Sequence, residues 1–172
     1  IIYKQRRQVL DGENINESIL NMINSLAEEV VLTYYAGEND VNIEVLNTEI
    51  RNTFGLDMID WLKENHQNSS DVVNKLQELA LAKYEEKEKE VGSEQLRELE
   101  RVVMLKVVDQ KWMDHIDAMD DLKNGIGLRA YGQQDPVVKY RLEGMDMFDE
   151  MVFSIKHDVV KMLMNLRKQE EV

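Results

Sequence analysis

Two apolar stripes at helical spacing, one on either side of a short glycine-containing segment, constrain this chain most. Leu99, Val102, Leu105, Val108, Trp112, Ile116, Met119 and Leu122 recur at steps of three and four residues. Val138, Leu142, Met145, Phe148, Val152, Ile155, Val159, Met162 and Leu166 repeat the pattern. That period keeps apolar side chains on one face of an α-helix and cannot serve a strand. Between the stripes lies Gly125-Ile126-Gly127-Leu128-Arg129-Ala130-Tyr131-Gly132-Gln133-Gln134-Asp135-Pro136. Its three glycines are expected to stop the first helix. Asp135 as N-cap and Pro136 at the first helical position start the second. Two long helices joined by so short a loop must run antiparallel, as an αα-hairpin with arms about 40 Å long at 1.5 Å per residue.

The rest of the chain also reads as helix, so the fold class is all-α: a long antiparallel αα-hairpin plus a small helical subdomain. Asn14 and Glu17 form a capping-box-like start. Ile19, Ile23, Leu26, Val30 and Tyr34 then line one face as far as Ala36-Gly37. A shorter helix is predicted from about Ile43 to Thr53, stopped at Phe54-Gly55. Asp57 caps a brief helix carrying Met58, Ile59, Trp61 and Leu62. After a polar loop, Ser69 to Asp71 are expected to cap a helix with Val72, Leu76, Leu79, Ala80 and Tyr84 inside. Its end, Glu85 to Glu90, alternates acid and base and suits a solvated face with i,i+4 pairs. Gly92-Ser93 marks a break or a bend.

Charge and composition exclude several functions. A net charge of −13 opposes nucleic acid as a partner for the surface as a whole, with Lys4, Arg6 and Arg7 a local exception. The absence of cysteine removes thiol chemistry and cysteine-ligated metals. No apolar run approaches the roughly 20 residues that span a bilayer. A chain that opens Ile1-Ile2-Tyr3-Lys4, without methionine, is expected to be a piece of something longer.

Candidate chemistry is thin. The glycine-containing segment is followed by no Gly-Lys-Ser/Thr and preceded by no strand, which argues against a phosphate loop. Asp114, Asp117, Asp120 and Asp121 surround His115, but no histidine stands three residues after a glutamate, as helical di-iron sites require. Those acids suit a solvated face, and His115 a half-buried structural position beside Trp112 and Met119. No serine has a nucleophile-elbow context. Most of the ten methionines interleave with the stripes and read as core filling. What remains is the hairpin tip, where Ile126, Leu128 and Tyr131 place apolar and aromatic groups in one loop beside Arg129, either tucked back onto the helix ends or presented to a partner. Such residues are the usual anchors of recognition.

Two motifs, Val103-Met104-Leu105 through Trp112-Met113-Asp114-His115-Ile116 and Ile126-Gly127-Leu128-Arg129-Ala130-Tyr131-Gly132-Gln133-Gln134-Asp135-Pro136, closely resemble the C-terminal helical region of SecA, the bacterial preprotein translocase ATPase family. Ile2-Tyr3-Lys4-Gln5-Arg6-Arg7 adds to the resemblance, which covers essentially the whole chain. It implies that residues 1–12 end a long scaffold helix, 13–92 form a helical wing domain, 93–168 form the scaffold's two-helix finger and 169–172 are a tail. It further implies a fingertip at Leu128, Arg129 and Tyr131 that contacts the translocating polypeptide and the SecYEG channel. Arg129 and Trp112 would couple the finger to the motor. The finger would also regulate ATP hydrolysis.

By the same resemblance, ATP and magnesium belong to motor domains elsewhere in the parent. The fragment itself is expected to hold no cofactor and no metal and to catalyse nothing. Its expected partners are the SecYEG channel, unfolded preprotein, the parent's own motor domains and, as a further state, a second copy. Its expected place is the cytoplasm, peripherally on the inner face of the plasma membrane. The family often carries histidine where Gly127 stands. The alternative reading of the stripes is a self-contained helical adaptor or dimerisation module.

Overall fold

A computed structural model describes residues 15–37, 40–129 and 135–166, with backbone alone at 127–129 and 136. The described residues form six helices. They are α1 (Ile15–Tyr35), α2 (Ile43–Phe54), α3 (Ile59–Asn65), α4 (Ser69–Val91), α5 (Ser93–Arg129) and α6 (Pro136–Met164).

The boundaries follow local chemistry. The Asn42 side chain accepts from the Glu44 and Val45 amides and so caps α2. Gly55 ends α2 in the left-handed region at φ 67°, its amide donating to the Arg51 carbonyl. Met58, not the expected Asp57, is the N-cap of α3 and makes no side-chain cap. Asp57 stands one residue earlier and accepts from the Ile59 amide, while the Asn47 side-chain oxygen accepts from the Met58 amide at 2.7 Å. α4 starts earlier than expected, because the cap is Asn68, whose side chain accepts from the Ser70 amide. Asp135 accepts from the Val137 amide and caps α6, with Pro136 in the first turn. The capping box begins at Asn14 and the basic cluster lies at Lys4 to Arg7; both are outside the described residues.

The expected stop at Gly125 is corrected. α5 continues through Gly125 and Gly127 to Arg129. A helical glycine costs only about 1 kcal/mol relative to alanine. Leu122 and Ile126 are both buried in this turn, and burying two such side chains is worth more than that.

One continuous core runs from Ile19 to Met164. α1 lies against α4 through Ile19, Ile23, Leu26 and Val30, the stripe read from its sequence. The C-terminal half of α6 packs on α1 and α2 as well as on α5, burying Ile155, Val159, Val160, Leu163 and Met164. The stripe phases in the two long helices need correction. Leu96, Val103, Met104, Val107 and Val108 face inward on α5, whereas Val102 and Ile116 are exposed. On α6 the exposed members are Val138, Leu142, Met145 and Met162. Near its start α5 is covered by α6, α1 and α4 together, so the buried arc is wider than one stripe and centred differently.

Gly92 separates α4 from α5 at φ 95° and ψ 141°, a conformation that side-chain-bearing residues rarely adopt. Its amide closes α4 on the Glu88 carbonyl at 2.8 Å, and its carbonyl opens α5 by accepting from Leu96 at 2.9 Å.

Candidate functional site

The two long helices are antiparallel, and three cross-contacts fix their register. Lys111 pairs with Asp158 at 3.0 Å. The His115 and Phe148 rings meet edge-on with centroids 5.9 Å apart. Further out, a Cβ placed on Gly144 would lie 2.9 Å from the end of Met119. Residue numbers rise along α5 as their partners fall along α6, which is the hairpin read from the sequence.

Trp112 sits midway along the hairpin. It is half-buried against the edge of the core, its ring 5.7 Å from that of His115. His115 is therefore held between Trp112 and Phe148, matching its expected structural position. Around it Asp114, Asp117, Asp120 and Asp121 are exposed. No group of three or more histidine, aspartate or glutamate side chains is arranged to hold a metal among the described residues.

Beyond Trp112 the hairpin leaves the core behind. Leu122 and Ile126 are buried apart from the continuous core. Val138, Leu142 and Met145, at helical spacing on α6, are 50–59% exposed, and the first two line a shallow open hollow with Asp135, Lys139 and Glu143. Met113 and Ile116 are likewise exposed on α5. Met113, Met145 and Met162 are exposed and Met119 and Met147 half-buried, which limits the core-filling account to Met22, Met58, Met104, Met151 and Met164.

The opposite end is anchored by polar contacts that the sequence reading missed. Glu100 is fully buried and accepts from the Tyr84 hydroxyl at 2.5 Å, the Asn16 amide at 3.1 Å and the Arg97 guanidinium at 3.1 Å. Arg97 also reaches Glu88 at 2.5 Å, across Gly92. Burial, reinforced by the Glu100 contact, pushes the Tyr84 phenol well above its ordinary range. The signal was available: Glu100 stands between Leu96 and Val103 on the buried face. Lys156 ties α6 to α1 by donating to Ser25 at 3.0 Å and Glu29 at 2.5 Å. The Asn165 amide donates to the Thr53 carbonyl at 3.1 Å and ties the end of α6 to α2.

Comparison with known proteins identifies this arrangement. The family described as the SecA wing and scaffold domain matches residues 1–167. This chain belongs to the SecA wing and scaffold family. It is 43% identical over 174 residues to the protein translocase subunit SecA of Finegoldia magna, covering 100% of this chain and 19% of that protein. It is 45% identical over 167 residues to protein translocase subunit SecA 1 of Clostridioides difficile, covering 96% and 19%. A third relative, SecA of Caldicellulosiruptor saccharolyticus, is 44% identical over 181 residues, covering 100% and 21%. The chain thus spans about a fifth of the length of these relatives.

Of the residues expected to form a fingertip, Leu128 and Arg129 fall in the last turn of α5 rather than in a loop, with backbone alone described. Tyr131 lies outside the described residues. Trp112 is well inside the hairpin, so the structure does not bring it together with the tip. Among the described residues no helix is long and apolar enough to cross a membrane.

Proposed function

We propose that this chain is the non-catalytic lever of a SecA-type protein translocase, carrying movements of an ATP-driven motor to a fingertip that touches preprotein and the SecYEG channel. The observation that supports it most is mechanical. One end of an antiparallel helix pair is fixed into a shared core by Glu100, Lys156 and Asn165, while the other end runs clear of that core. At 1.5 Å per residue α5 is about 55 Å long, and displacement at the base of a stiff pair reaches its tip. In this reading residues 13–92 are the wing, 93–168 the finger and 1–12 the end of the long scaffold helix.

Leu128, Arg129 and Tyr131 make the fingertip contact, Arg129 with Trp112 couples the finger to the motor, and the finger regulates ATP hydrolysis. ATP and magnesium bind in the parent's motor domains, and the fragment needs neither. The parent works at the cytoplasmic face of the plasma membrane. The test is Tyr131→Ala in the full-length parent: preprotein translocation should fall several-fold while the melting temperature stays near wild type. A large fall in melting temperature with normal transport would show that Tyr131 is structural instead.

The exposed strip of Val138, Leu142 and Met145 favours a second reading, a helical module that dimerises through the hairpin. Sedimentation equilibrium separates the two, since that reading requires a dimer that Leu142→Glu dissolves.

A further inference from the structure

We propose that the cleft between the α2–α3 turn, the middle of α4 and the end of α6 binds a phosphoryl group. The cleft encloses about 430 Å³, and Arg51, Lys83 and Lys87 line it, with Asp57 the one carboxylate among its lining side chains. Three cations against one acid make this a positive site on a protein of net charge −13. None of the three cations makes a close ion pair among the described residues, although the Arg51 charge acts on Asp57 and that of Glu90 on Lys87. Asp57 is already occupied, its Oδ1 accepting from the Asn47 amide and the Ile59 backbone, both at 3.1 Å.

The donors exceed their partners. Lys83 gives two hydrogen bonds, to the Phe54 carbonyl at 3.0 Å and the Gly55 carbonyl at 2.9 Å, and Lys87 gives one to the Leu166 carbonyl. An ammonium has three donors, so one remains on Lys83 and two on Lys87. Arg51 adds a guanidinium with no hydrogen bond of its own among the described residues. That surplus suits the several acceptor oxygens of a phosphoryl group better than the two of a carboxylate. Gly55 keeps the floor of the cleft open, because a Cβ there would sit 2.3 Å from Lys83 Nζ. Burial, and for Lys83 also the neighbouring Lys87 charge, lowers the basicity of both amines, a cost that a bound anion relieves.

Inorganic phosphate titrated at constant ionic strength, followed by backbone amide NMR, tests the site. The expected result is saturable shifts at Gly55 and Asn165, with an apparent Kd weakened roughly tenfold by Arg51→Gln and again by Lys87→Gln. Arg51→Gln removes no hydrogen bond of the described residues. Lys87→Gln also loses the bond to the Leu166 carbonyl, so its melting temperature is measured alongside, and Lys89→Gln on the exposed face of α4 serves as the unaffected control. A parallel arm measures cosedimentation with phosphatidylglycerol vesicles against phosphatidylcholine vesicles. Phosphate shifts without vesicle binding assign the site to a free phosphate. Vesicle binding that Arg51→Gln and Lys87→Gln abolish assigns it to a lipid headgroup. No binding in either arm, or binding that both variants retain in full, overturns the proposal.

Discussion

Tyr84 on α4 and Glu100 on α5 meet across the break at Gly92, hydroxyl to carboxylate at 2.5 Å, with both side chains closed to solvent. Because Asn16 on α1 and Arg97 on α5 bind the same carboxylate, one buried charge joins three helices at the root of the hairpin. A buried charge is stabilised only while its partners are in place.

Glu100→Ala is therefore expected to cost about 2–4 kcal/mol, because it strands the buried Tyr84 hydroxyl and removes the acceptor of the Asn16 amide, while Arg97 keeps its pair with Glu88. Urea unfolding followed by circular dichroism measures it. A loss below about 1 kcal/mol would mean that the network contributes little to holding α4 on α5.

Two glycines should respond with opposite signs. Gly92→Ala forces a side chain into positive φ and should destabilise by about 1–3 kcal/mol, although no atom stands near the added Cβ. Gly125→Ala meets open space within a helix and should stabilise by about 0.5–1 kcal/mol. Thermal unfolding of the two variants checks this pair. A neutral or destabilising Gly125→Ala would contradict the unbroken α5.

Trp112→Ala should cost about 2 kcal/mol, less than the roughly 3–5 typical of a fully buried aromatic, because the ring is half-buried between the core edge and His115. A loss of 4 kcal/mol or more by chemical denaturation would place the ring in the core.

Acid should weaken the fold through Asp57 and Asp158. Hydrogen bonds from the Ile59 backbone and the Asn47 amide hold the Asp57 carboxyl below its usual value, outweighing some desolvation. Burial acts to raise Asp158, but contacts with His157 and Lys111 outweigh it and leave that carboxyl lowered as well. A depressed folded-state pKa gives stability that is fully present above the unfolded value, about 3.9, and lost as pH falls through the folded value below it. The urea midpoint should therefore drop as pH falls below about 4, and less steeply in the double variant Asp57→Asn with Asp158→Asn. An unchanged slope in that variant would rule these carboxylates out.

Much of the fold was legible in the sequence, for identifiable reasons. Gly55 and Asp135 punctuate their helices by local chemistry, and local chemistry is what sequence shows. The α1 stripe was legible because one face meets one surface. The phases of α5 and α6 were not, since the first half of α5 is enclosed from several sides by helices distant in sequence. Gly125 and Gly127 misled because their modest helix penalty is overcome by the burial of Leu122 and Ile126. Glu100 and the cluster of Arg51, Lys83 and Lys87 depend on elements that meet only in the folded chain. Trp112 was correctly placed beside His115, whereas Leu128 and Arg129 end a helix instead of entering a loop.

The lever account is tested most directly at the tip. A photo-crosslinking amino acid at position 131 of the full-length parent, illuminated while a preprotein is held part-way through the channel, should give adducts to the preprotein and to the channel. The same group at exposed position 102, near the root of α5, should give neither. Adducts from position 131 confined to the parent's own chain would contradict the account.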